Sequence, residues 1–205
     1  DRSPSRGLGD VYKRQIVNRH GEGALIANNF VIGDGNPFSG GIRIVDADHQ
    51  VLNNYIEGVR YLSTNFNGGL LVSNSDGSTS NGYQDVENVF VANNTVVDSV
   101  NSINLYAGSR STRPDSVYFV NKIVDGAIGS VIRNADTLPT NAVFAGNVVH
   151  GETFSDDSSV SSISGFTFVD PALSKGNDSL ARPSANSPDL SADLSANVGD
   201  FALPS

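Results

Sequence analysis

Two arginines, a histidine and their spacing offer the first chemistry in this sequence. Asn18-Arg19-His20-Gly21-Glu22 opens one segment, and Arg43 follows 24 residues after Arg19. If the chain winds with a period near 25 residues, both guanidinium groups project from one ribbon on adjacent windings, about 5 Å apart at the backbone. Stacked cations repel, so the arrangement asks for an anion. Guanidinium groups suit carboxylates because each forms a bidentate fork. Acidic neighbours such as Glu22, Asp46 or Asp48 could equally neutralise the arginines, and spacing leaves both readings open. His20 alone reads more readily as structural than catalytic. The carboxylates Asp46, Asp48 and Glu57 could hold calcium, although solvated surface groups are the simpler expectation. No G-x-S-x-G elbow, phosphate-binding Walker loop or H-E-x-x-H element occurs.

The elements that must position these residues come from an internal repeat. The segments 24–30, 49–55, 89–95, 118–123 and 143–148 each read apolar-x-apolar, then a polar or small pair, then apolar again. The second member of each pair falls at Asn29, Asn54, Asn94, Lys122 and Asn147, in steps of 25, 40, 28 and 25. A step near 25 is too short for a propeller blade and lacks the 3.6-residue period of helical repeats. Period-2 alternation with many β-branched residues specifies strands. Three short strands and three turns per step predict an all-β, right-handed, single-stranded parallel β-helix. Stacked Asn side chains then bond along its axis. Asn also tolerates the left-handed corner conformation. The 40-residue step is one winding plus an insertion at 74–82.

A second strand column is expected at 16–20, 41–45, 69–73, 102–106 and 130–134. Alternation there points Ile42 and Ile44 inward and Arg43 outward, and likewise sends Asn104 and Tyr106 outward. Three regions follow: residues 1–15 as a non-native or disordered leader, with the look of a translated sequencing-adapter scar; 16–170 as β-helix coils; and 171–205 as a C-terminal cap or tail. Phe166 to Pro171 reads as the last strand.

The chain has 205 residues and a net charge of −9; without residues 1–15, 9 basic face 20 acidic side chains, net −11. So acidic a chain is a poor candidate for non-specific nucleic-acid binding, and a polyanion could be held only by a local basic cluster. There is no Cys, which excludes disulfides and thiolate metal sites, and no Met. No apolar run approaches the ~20 residues of a membrane span, and no signal peptide is visible.

The Asn-Arg-His-Gly element (18–21), the Ala-Leu-Ile-Ala-Asn-Asn-Phe run (24–30) and Gly40-Gly41-Ile42-Arg43-Ile44 resemble the catalytic stretch of polysaccharide lyase family six, the alginate lyases and chondroitinase B-like enzymes. The ladder segment 49–55, Ala107-Gly108-Ser109, Asp170-Pro171, Arg182-Pro183 and Ser187-Pro188 extend the likeness over essentially all of 16–195. The resemblance implies a calcium-assisted lyase acting by β-elimination on uronic acid polymers, alginate before dermatan or chondroitin, and a periplasmic or secreted bacterial location. It places the general acid at Arg19 with His20 beside it, makes Arg43 a substrate carboxylate binder, and offers Asn104 and Tyr106 as sugar contacts. It also implies that the lysine base and the calcium-binding Asn and Glu residues lie upstream of residue 1. The chain then holds no metal site, forms the C-terminal part of its parent, and is inactive alone. Two other readings fit the repeat: a non-catalytic adhesin or tail-spike domain, and a pectin-type hydrolase. A hydrolase needs two or three carboxylates on one strand face, which 41–45 and 102–106 do not present.

Overall fold

A computed structural model describes residues 15–18, 21–37, 39–60, 68–72, 84–105, 112–134, 138–158 and 160–187. The chain winds coil upon coil. The first coil holds β1 (Ile16–Asn18), β2 (Leu25–Ala27) and β3 (Phe30–Ile32); the second β4 (Ile42–Ile44), β5 (Gln50–Leu52) and β6 (Tyr55–Glu57). The third holds β7 (Leu70–Val72), β8 (Glu87–Ala92) and β9 (Thr95–Val97), and the fourth β10 (Ile103–Asn104) and β11 (Asp115–Val120). β12 (Ile123–Arg133) ends the fourth coil and runs on into the fifth, which continues through β13 (Val143–Ala145). β14 (Asn147–Ser155) repeats that overrun, and β15 (Phe166–Phe168) closes the winding. A hairpin of β16 (Leu173–Lys175) and β17 (Ala181–Pro183) follows, antiparallel where every other pairing is parallel.

Three parallel columns result. The first stacks β1, β4, β7, β10 and the far end of β12; the second β2, β5, β8, β11 and β13; the third β3, β6, β9 and the near ends of β12 and β14, then β15. The fold is the parallel β-helix that the repeat predicts. Inward residues of the columns, such as Ile42, Leu70, Ile103 and Ile132, or Val51, Val91 and Phe119, build one continuous core. In the last coils this core is aromatic: Phe119 stacks on Phe144 at 5.6 Å, and Phe144 meets Phe166 at 5.2 Å.

The corner between the second and third columns works as the sequence demands. The first member of each polar pair, Asn28, Asn53, Asn93 and Asn121, has φ between 52° and 58°, and Gly146 has φ 62°. Asn is the side chain best suited to that left-handed turn. The second member forms the ladder. Asn29 Nδ2 donates to Asn54 Oδ1 at 2.9 Å, and Asn54 Nδ2 to Asn94 Oδ1 at 2.9 Å. Lys122 occupies the next rung. It is fully buried, its Nζ donates to the Val91 carbonyl, and the same nitrogen lies 4.7 Å from the Phe119 ring centre. Burial holds its pKa well below the ordinary lysine value.

The hairpin is an addition that sequence reading places only as a cap or tail. It folds back across the outer face of the third column. The Ala181 N–H donates to Tyr55 Oη at 3.0 Å, Tyr55 donates to Glu57 at 2.7 Å, and Lys175 pairs with Glu57. Leu173 and Leu180 pack with Tyr55 and Val97 beneath. Among the described residues no helix is long and apolar enough to cross a membrane.

Candidate functional site

The outward face of the first column carries the candidate site. Backbone pairing aligns Val17, Arg43, Leu71, Asn104 and Arg133 on successive coils. Alternation works there as expected: Ile42 and Ile44 are each 1% exposed in the core, while Arg43 between them points away and is partly exposed. The register differs from the sequence expectation. Arg43 stacks on Val17 rather than on Arg19, because the first step of this column is 26 residues and not 24. Arg19, His20 and Tyr106 lie outside the described residues.

Asn104 requires a correction. It stands in the outward column two strand spacings from Arg43, yet it is 0% exposed. So is Leu71 nearly, at 1%. The middle of this face is covered, and period-2 alternation cannot report cover laid over an outward face. Asn104 is therefore a buried member of the outward column and not an exposed one. Arg133, at the far end, faces Asp156 with Nε 3.7 Å from the carboxylate.

The corner behind Arg43 is built on His49, which the sequence reading did not single out. It is fully buried. The ring Nε2 lies 3.1 Å from the Val45 carbonyl, and Nδ1 lies 3.0 Å from the Ala24 N–H. One neutral tautomer satisfies both, with Nε2–H donating and Nδ1 accepting. Asn18 Nδ2 approaches the same Nδ1 at 3.4 Å. Burial lowers the His49 pKa, against the raising effect of the Val45 bond and of Asp46, Asp48 and Glu22. The only signal in sequence was a polar residue in phase with inward Val51.

Asp46, Asp48 and Glu57 do not gather as a cation site. Asp46, expected to be solvated, is 1% exposed and accepts the Gly21 and Ala47 N–H groups at 3.1 and 3.0 Å. Asp48 accepts from Asn88 at 2.7 Å. Glu57 belongs to the third column. Burial pushes its carboxyl up, but hydrogen bonds from Lys175 and Tyr55 outweigh that and leave its pKa lowered. The described residues around Arg43 therefore do not fit calcium.

The sequence profile of the chondroitinase B family matches residues 12–171. No curated protein sequence matches the chain. The solved structure of the family-six alginate lyase AlyGC is 28% identical with a TM-score of 0.67, over 84% of this chain and 23% of that one. A mannuronic acid-specific family-six lyase from human gut microbiota is 28% identical with a TM-score of 0.51, over 76% and 36%. The alginate lyase AlyF in complex with the oligosaccharide G6, at 20% identity and a TM-score of 0.62, shares the fold over 88% of this chain and 42% of its own. The chain thus spans 23% to 42% of the length of these three lyases. The profile match runs from the leader through β15 and stops short of the returning hairpin. With three quarters of its residues inside that match and its coils superposing on family-six lyases, the chain belongs to the chondroitinase B family.

Proposed function

We propose that this chain supplies C-terminal coils of a polysaccharide lyase that cleaves poly-uronate, alginate first, by β-elimination. The observation that carries the reading is Arg43 on the outward face of a family-six first column, with no carboxylate in the aligned set Val17, Arg43, Leu71, Asn104 and Arg133. A hydrolase would need paired carboxylates on that face. A lyase needs cations, since the carbanion formed at C5 lies beside a carboxylate whose charge must be neutralised.

In the proposed reaction a base removes the C5 proton, the electron pair forms the C4–C5 double bond, and the C4–O4 bond breaks. The departing O4 takes a proton from Arg19, which His20 flanks. Arg43 forks onto a sugar carboxylate and fixes the register of the polymer. The base is a lysine outside residues 1–205, and so are the ligands of the calcium that would add positive charge at the carboxylate. Tyr106 is retained as a sugar contact. A polymeric substrate implies export to the periplasm or beyond.

The test uses the whole protein. Arg43→Ala should lower kcat/KM on alginate about 10- to 100-fold, the worth of a charged hydrogen-bonding contact, and Arg43→Lys should recover part of it. Unsaturated uronate absorbance gives the rate, with dermatan sulfate run beside alginate because the family profile bears the chondroitinase name. Unchanged kinetics in Arg43→Ala would remove the role of Arg43, and binding without cleavage by the wild type would favour an adhesin.

A further inference from the structure

On the third column, away from the Arg43 face, Asp125, His150 and Asp170 bring one donor atom each to within 4.8 Å of one another. Backbone register explains the meeting. Val124 pairs with Val149, so Asp125 and His150 follow side by side on adjacent strands. Val149 in turn pairs with Phe168 on β15, and Asp170 lies two residues on, where the chain leaves the last coil. His150 Nδ1 is already 3.0 Å from Asp125 Oδ1. Asp170 Oδ1 also accepts the Ala172 N–H at 2.6 Å. Asp125 and His150 are partly buried and Asp170 is exposed. Among the described residues neither carboxylate forms an ion pair with Lys or Arg.

We propose that Asp125, His150 and Asp170 form a binding site for a divalent transition metal of the zinc class, which ties the last coils together. Two anionic oxygens and one imidazole nitrogen are a donor set that suits zinc-like ions, with water as the fourth ligand. Calcium prefers six to eight oxygens and is poorly served by imidazole. Bonds of about 2.1 Å to one ion would set the donors some 3.4 Å apart, which side-chain rotation from the present spacing reaches. The site has a structural purpose. β15 is a three-residue strand, its last residue Phe168 and the following Val169 are 48% and 40% exposed, and the hairpin that braces Tyr55 and Glu57 departs shortly after Asp170. An ion held from β12, β14 and the exit of β15 would anchor that departure.

The experiment is metal uptake by the untagged whole protein, measured by equilibrium dialysis against zinc and then by cobalt(II) absorption. Wild type is expected to retain one equivalent of zinc more than His150→Gln or Asp170→Asn, and to give cobalt d–d bands that both variants lose. Circular dichroism of the variants should match wild type, and Asp170→Asn, exposed at a coil exit, guards against a folding failure at His150. Equal zinc stoichiometry in wild type and both variants would overturn the proposal. So would displacement of the zinc by equimolar calcium.

Discussion

Replacing Lys122 by Asn tests the physics of the ladder. Lys122 sits on the rung between Asn94 and Asn147, fully buried, with its backbone N–H on Asn147 Oδ1 at 3.1 Å and its Nζ on the Val91 carbonyl. Desolvation lowers its pKa well below the ordinary 10.5, so the folded protein releases the lysine proton at a lower pH than the unfolded chain does. Between the folded and the unfolded pKa the unfolded state therefore binds more protons, and stability rises with pH there. A proton so linked contributes at most about 1.4 kcal/mol per pH unit, which sets a ceiling of about 3 kcal/mol between pH 7.5 and 9.5. His49, whose pKa is lowered, titrates below this window, and Tyr55, whose phenol burial raises further, titrates above it. Urea unfolding followed by circular dichroism should show the wild-type midpoint moving up across the window, by at most roughly 1 M. Lys122→Asn should be flat. It also restores a side-chain oxygen to the rung, in reach of the Asn94 N–H, as Asn94 Oδ1 serves the Asn54 N–H at 3.0 Å. A flat wild-type profile, or a slope that survives the substitution, would refute the account.

Asn94→Ala removes a fully buried amide that accepts from Asn54 and donates to the Val51 and Ala92 carbonyls at 2.8 and 2.9 Å, and should cost about 3 kcal/mol in urea unfolding. Tyr55→Phe strips the Ala181 N–H of its acceptor and Glu57 of a donor, so limited proteolysis should cut the 173–183 hairpin several-fold faster while the coils stay resistant.

The Asn pairs were legible because their cause is local. A corner needs a left-handed residue followed by a stackable amide, and a period near 25 repeats that need in plain view at Asn28-Asn29, Asn53-Asn54 and Asn93-Asn94. Alternation likewise settled that Ile42 and Ile44 face the core and Arg43 does not. By itself, then, the sequence determined the solenoid, its corner chemistry and the likeness to family-six lyases. Tertiary structure decided the rest. The register that seats Arg43 on Val17 depends on how many residues each turn absorbs, which backbone pairing fixes and residue counting misjudges by two. The covering of Asn104 and the burial of Lys122 and Asp46 depend on what packs over them. The bracing of Tyr55 by Ala181 joins residues 126 apart, and no local pattern encodes a contact that exists only once the coils have stacked.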